Sequence, residues 1–64
     1  MNMIWHVGCD GMAMPVAAET RAEAEQKAEK HLAENGYRCG RILATKASQG
    51  YLEWIEAHQI PVLL

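Results

Sequence analysis

The sequence predicts an α+β domain. We expect a three-stranded antiparallel or mixed sheet in the order 2-1-3, a helix packed on one face, and a C-terminal helix. Two apolar alternating segments flank an Asp-Gly pair, a Thr-x-x-Glu pattern opens an alanine-rich stretch, and a further apolar segment follows Asn35-Gly36. Sixty-four residues suffice for one domain only, so residues 1–64 are expected to fold as a unit.

The clearest local signal is a hairpin turn at Asp10-Gly11. Asp-Gly favours a two-residue turn because both central residues need a positive φ. Side chains alternate along a strand, so this turn aligns the large apolar residues of both strands on one face. The expected pairs are Cys9–Met12, Val7–Met14, Trp5–Val16 and Met3–Ala18.

Pro15 indicates which strand lies at the border of the sheet. In this register Pro15 opposes His6 in a non-hydrogen-bonded pair, so its missing N–H faces away from the first strand. A sheet tolerates proline there only at an edge. The second strand is therefore predicted at the edge, and a right-handed crossover places the third strand beside the first, on the far side.

The first helix has both of its end signals. Thr20 and Glu23 form a capping box that starts the helix, and Asn35-Gly36 supplies a left-handed stop after about Glu34. Small side chains would let this helix approach the sheet closely. Its inward face is expected to carry Ala24, Ala28, His31 and Leu32.

Residues 37–45 predict the third strand, with a bulge at Gly40-Arg41. The bulge would turn Arg38 and Arg41 outward and the apolar side chains inward, namely Tyr37, Cys39, Ile42 and Ala44. Beyond it, Ser48 could cap a second helix over residues 49–59, which Pro61 would end. The alternative is a hairpin that pairs residues 41–46 with residues 51–56.

Composition and cysteine number restrict the class of protein. The net charge of −2 does not indicate nucleic-acid binding or whole-surface mimicry of DNA. No signal peptide or membrane span is expected, which fits a cytosolic protein. Cys9 and Cys39 are too few for a disulfide framework, so reduced thiols are the simpler interpretation, although one bridge is possible.

Neither a metal site nor catalysis is predicted. His6, Cys9, His31 and Cys39 are ligand types without a compact zinc spacing, so no metal or cofactor is expected. A chain this small offers little concave surface around a Cys39–His31 pair, and Asp10 is explained by the turn. We therefore expect a binding protein and not an enzyme.

Charged residues supply the candidate binding surface. Arg38 and Arg41 on an edge strand could anchor a partner or simply protect the edge against aggregation. The first helix has an acidic side that could steer a basic partner or be ordinary solvated surface. The predicted partner-binding residues are Arg38, Arg41, Glu19, Glu23, Glu29 and Asp10. Trp54 is a possible further anchor, but packing of the second helix is the preferred interpretation.

A proline precedes the first helix in the run Met14-Pro15-Val16-Ala17-Ala18-Glu19-Thr20, and Glu23-Ala24 and Ala28-Glu29 follow. Ile4-Trp5 opens the first strand, and Gly36-Tyr37 leads towards Arg41. Over roughly residues 4–44 these motifs resemble the small podophage inhibitors of host bacterial RNA polymerase. The resemblance implies a strand–strand–helix–strand core and docking on the jaw region of the polymerase β′ subunit. Arg41 matches a family arginine, and Glu23 and Glu29 match acidic helix positions.

The leading hypothesis is a phage-type inhibitor that docks on a large host enzyme, with bacterial RNA polymerase as the expected partner. An inhibitor of a defence complex, as in anti-CRISPR proteins, is the first alternative. A homo-oligomeric structural or regulatory module that pairs through the open third strand is the second. The sequence leaves monomer and dimer open.

Overall fold

A computed structural model describes residues 3–64 and has the predicted α+β architecture. Its elements are β1 (Met3–Cys9), β2 (Met12–Ala18), α1 (Arg21–Glu34), β3 (Ile42–Lys46) and α2 (Gln49–His58). The sheet has the order β2-β1-β3, and β1 is antiparallel to both neighbours. Within residues 3–64, no helix is long and apolar enough to cross a membrane.

The hairpin forms in the predicted register. Asp10 and Gly11 both have positive φ angles, 46° and 88°, as a two-residue turn of this kind requires. Cys9 pairs with Met12, and Trp5 pairs with Val16. The turn chemistry therefore fixes which side chains of the two strands share a face.

Pro15 lies on the outer border of the sheet, as predicted. Its carbonyl accepts a hydrogen bond of 3.0 Å from the Leu63 N–H, and the Ala17 N–H donates to the Leu63 carbonyl at 2.8 Å. Residue 63 thus forms a parallel bridge beside Val16. The C-terminal segment covers the border that proline leaves without a donor.

Helix α1 begins and ends where the sequence predicts. The Thr20 hydroxyl accepts a hydrogen bond from the Glu23 N–H, and Gly36, with φ of 77°, terminates the helix in the left-handed region. The Tyr37 N–H donates to the Leu32 carbonyl, which completes a Schellman motif.

The packed side of α1 is narrower than predicted. Ala24 and Ala28 are completely buried and Leu32 is half-buried, but His31 is exposed. The apolar contact of α1 is made by a row of positions four residues apart, 24, 28 and 32, and His31 lies about 100° around the helix from Leu32. The expectation that His31 faces inward is therefore wrong.

The third strand is shorter than predicted and contains no bulge. It spans Ile42–Lys46, whereas residues 37–41 are irregular and Tyr37 is exposed. Ile42 pairs with Cys9, the last residue of β1 before the hairpin turn. Residues 37–41 therefore have no neighbouring strand with which to form a ladder.

A second correction concerns the cysteines. Cys9 and Cys39 form a disulfide across 30 positions of sequence, where reduced thiols were expected. The cross-link ties the end of β1 to the irregular segment 37–41. The single bridge that two cysteines leave possible is therefore formed.

Residues 49–58 form the predicted second helix and not the alternative hairpin. The Ser48 hydroxyl accepts a hydrogen bond from the Tyr51 N–H at the start of the helix. Gln59, in a left-handed conformation, caps the other end before Pro61. Ile55 is buried, and Tyr51 and Leu52 are half-buried. The predicted second helix is thus confirmed, with an end at His58.

The core lies between the sheet and α1. Trp5 is its largest member, and the indole N–H donates to the Ala18 carbonyl at 3.0 Å. Its buried residues are Trp5, Val7, Val16, Ala18, Ala24, Ala28 and Ala44.

Candidate protein-docking surface

The face of the sheet opposite α1 carries a shallow, open depression of about 600 Å³. Strand alternation places His6 and Gly8 of β1 on this face, because Trp5, Val7 and Cys9 face the core. Gly8 and Ala13 have little or no side chain, so the surface of the sheet is recessed there. The residues that line the depression include His6, Gly8, Ala13, Leu43 and Thr45, with Asp10 and Arg41 at one end.

Arg41 and Leu43 form the exposed rim of this depression. Leu43 is 48% exposed, so much of this apolar side chain is in contact with solvent. The guanidinium group of Arg41 is in no ion pair with another residue of segment 3–64; the ion pairs found there are Arg21–Glu25 and Glu23–Lys27. A cationic group and an aliphatic group thus stand side by side on one open face.

Two attachments hold the segment that leads to Arg41. The Asp10 carboxylate accepts a hydrogen bond of 2.8 Å from the Gly40 N–H, and the disulfide fixes Cys39 to Cys9. The Cys39 sulfur also lies 3.1 Å from the Arg41 carbonyl oxygen. Asp10 therefore has a structural role in addition to its position in the turn.

The structure does not bring Arg38 together with Arg41. Arg38 lines a separate groove at the end of α1, with Glu29, Ala33 and Tyr37 among its neighbours. That groove and the depression on the sheet have no lining residue in common among residues 3–64, apart from the bridged Cys39 and Cys9 that line one each. The two arginines therefore cannot be treated as one anchor.

The acidic residues lie mainly on the α1 side of the molecule. Glu23 forms an ion pair with Lys27 at 3.2 Å, and Lys27 also donates to the Ala17 carbonyl at 2.8 Å. Glu29 and Glu19 are exposed, Glu29 beside the Arg38 groove and Glu19 just before the helix. The predicted acidic side is thus separate from the depression that Arg41 lines.

Glu25, which the sequence did not single out, has a specific contact. Its carboxylate accepts a hydrogen bond of 2.9 Å from the Ala44 N–H and lies 3.5 Å from Arg21. In the observed register that N–H points away from β1, at the outer edge of β3. Glu25 therefore occupies the middle of an edge that would otherwise be free for strand pairing.

Aromatic rings extend the surface along α2. The His6 ring meets Tyr51 edge-on with 4.7 Å between centroids, Tyr51 stacks on Trp54 at 6.0 Å, and Trp54 meets His58 at 5.1 Å. Partial burial raises the pKa of the Tyr51 hydroxyl. Trp54 is 48% exposed, so the interpretation that it packs α2 onto the domain is wrong. The spacing of residues 51, 54 and 58 along a helix was the signal that could have identified this row.

Cys9, Asp10 and Cys39 come close together, with potential ligand atoms within 4.8 Å of one another. The two sulfurs are bonded to each other, so this group is a cross-link and not a set of free ligands. His6 and His31 are not part of it. The arrangement fixes the loop that precedes β3.

No protein-family model, curated protein or solved structure matches this chain. The resemblance to podophage inhibitors therefore stays a prediction.

Proposed function

We propose that the protein is a small inhibitor that docks on a large bacterial enzyme through the open face of its sheet, with RNA polymerase as the expected target. The observation that carries the proposal is the pairing of an unneutralised Arg41 with an exposed Leu43 on that face. Arginine is enriched at binding hot spots, and apolar neighbours exclude water around such an anchor.

The geometry favours docking by the face over pairing by the edge. On one border, Leu63 already bonds to Pro15 and Ala17. On the other, Glu25 accepts from the outward N–H of Ala44. A partner strand would have to displace these contacts, whereas the depression is open to solvent. We therefore favour docking of another protein over self-association through β3.

Polymerase is proposed as the target because of the order of motifs along the chain. The strand–strand–helix–strand core that the resemblance implies agrees with the observed order of β1, β2, α1 and β3. Arg41, the position that matches a family arginine, is exposed on the open face. A defence complex remains the alternative target, because the same docking chemistry would serve it.

Transcription by purified bacterial RNA polymerase tests the proposal. Wild-type protein is expected to inhibit it, and Arg41→Glu is expected to raise the inhibitory concentration by about 30-fold or more, as for a hot-spot residue. Lys30→Glu is the matched control, since it makes the same charge change on the exposed side of α1. Circular dichroism of each variant verifies folding.

Arg38→Glu sharpens the test. Because Arg38 lines the other groove, its reversal is expected to change inhibition by no more than about threefold, within the range of peripheral contacts. Equal loss in the Arg38 and Arg41 variants would place the contact in the irregular segment and not on the sheet face. A wild-type protein that leaves transcription unaffected would remove polymerase as the target.

A further inference from the structure

The depression that Arg41 lines continues onto α2. A second depression of about 320 Å³ is lined by Lys46, Ser48 and Tyr51 together with His6 and Thr45. His6 and Thr45 also line the first depression. The two depressions are therefore neighbours on one surface, which runs from Arg41 across the sheet to the rings of α2.

Two exposed apolar side chains lie on or next to this surface. Leu43 lies on the sheet and lines the first depression, and Trp54 lies on α2, stacked on Tyr51, which lines the second. Each side chain is 48% exposed. A large indole held by ring contacts on both sides is already ordered, so binding would cost little additional side-chain entropy.

The basic residues of one stretch of the chain contribute to the same surface. Residues 35–52 contain Arg38, Arg41 and Lys46 and no acid, which gives this stretch a net charge of +3. The whole chain has a net charge of −2, so the remainder has −5. Two of the three cations, Arg41 and Lys46, line the connected depressions. The surface is thus locally basic on an acidic protein.

We infer that α2 supplies the aromatic half of the docking surface, with Trp54 as its anchor, and that the partner presents an acidic segment with a large apolar side chain. This inference rests on the proposed function, because it concerns the same face. The acids of the segment face Arg41 and Lys46, and its apolar side chain contacts Leu43 or Trp54.

A protein segment fits this surface better than a single-stranded nucleic acid. Nucleic-acid platforms combine stacked rings with a continuous basic groove. Among residues 3–64, only Arg41 and Lys46 supply positive charge in the two depressions, and Asp10 lines one of them. Two cations separated by aliphatic and aromatic groups match a peptide of mixed character.

The probe is a short synthetic peptide, rich in aspartate and glutamate, with a central Leu-Phe pair. Three comparison probes are the peptide with lysines in place of its acids, the peptide with serines in place of Leu-Phe, and oligothymidylate. Binding to the full-length protein is followed by ¹H–¹⁵N correlation spectra. The indole N–H of Trp54 reports on the surface, and that of the buried Trp5 serves as the internal control.

We expect the acidic apolar peptide to shift the resonances of residues 41–46 and the Trp54 indole saturably, without shifting the Trp5 indole. Trp54→Ala is expected to weaken this binding about tenfold, and Lys30→Glu to leave it unchanged. Added salt should weaken it, because the attraction involves exposed charges. The lysine and serine peptides are expected to bind at least about tenfold more weakly.

The inference is overturned if the acidic peptide produces no saturable shifts, or if the lysine peptide or oligothymidylate binds as tightly. It is also overturned if Trp54→Ala inhibits transcription as the wild type does while Arg41→Glu does not. That last result would leave the proposed function intact, so the two failures are distinguishable.

Discussion

The two faces of the sheet differ in how far their side chains are covered. Against α1, alanines at positions 24 and 28 bring the helix close, and Val7 and Val16 are fully buried. On the other face, the Tyr51 ring of α2 meets His6, and Leu43 stands exposed. The difference teaches that one face holds the domain together while the other stays open to solvent, as the proposed docking requires.

The largest expected difference in stability is between alanine variants of the two tryptophans. Trp5→Ala should lower the free energy of unfolding by about 3–5 kcal/mol, because it removes a core side chain and its hydrogen bond to Ala18. Trp54→Ala should lower it by less than about 1.5 kcal/mol. Urea denaturation followed by circular dichroism measures both. Equal losses would mean that the two faces contribute alike to stability.

The cross-link is the next largest contribution. Cys39→Ser opens a loop closed across 30 positions, which should cost about 2–4 kcal/mol of unfolding free energy. Reduction of the wild-type protein by a dithiol should lower the urea midpoint to a similar degree. A midpoint that neither treatment moves would show that Cys9 and Cys39 are not bonded in solution.

Glu25→Ala tests whether the Glu25 carboxylate protects the outer edge of β3 from pairing with another strand. Loss of the acceptor for the Ala44 N–H should cost about 1 kcal/mol and should increase self-association. Glu34→Ala, an exposed glutamate on the same helix, is the matched control. Sedimentation equilibrium measures the association. If the Glu25 variant stays as monomeric as the control, this carboxylate does not protect the edge.

The smallest expected effect concerns Tyr51, where α2 meets the open face. Burial raises the pKa of its hydroxyl in the folded protein above the unfolded value, so folding opposes ionisation. The contribution of the un-ionised Tyr51 hydroxyl to the free energy of unfolding is therefore fully present below about pH 10. It is lost as pH rises through the folded pKa. The decrease in urea midpoint between pH 9 and pH 11 should be smaller in Tyr51→Phe. Identical decreases in both proteins would contradict this.

The parts of the fold that the sequence predicts depend on neighbours a few residues away. Asp10-Gly11 selects its turn, Thr20 caps its helix, and Pro15 indicates a border, each by local chemistry. The strand order then follows from chain connectivity. These signals need no knowledge of distant parts of the chain.

Residues 37–41 could not be predicted in this way. Their path depends on the Asp10 carboxylate and the Cys9 sulfur, both about 30 residues away in sequence. Alternation of apolar residues indicates a strand, but it contains no information on where the neighbouring strand ends. The bulge was predicted in order to bring the apolar side chains of residues 37–44 onto one face, but residues 37–41 lie outside the strand.

The site was predictable in part. The exposed position of Arg41 follows from its place near an edge strand, but the separation of Arg38 follows from the irregular segment. Likewise, helix periodicity places Tyr51 and Trp54 on related positions without indicating how far α2 extends over the sheet. Exposure of Trp54 is a tertiary property, so only the structure reveals it.

Gly8 lies at the centre of the open face, and its backbone is outside the left-handed region that would require glycine. A Cβ atom added there would meet only the carbonyl oxygens of Met12 and Leu43, at 3.8 and 3.9 Å, which is ordinary contact. The fold thus has room for an alanine at this position. The floor of the hollow can therefore be raised by one methyl group without backbone strain.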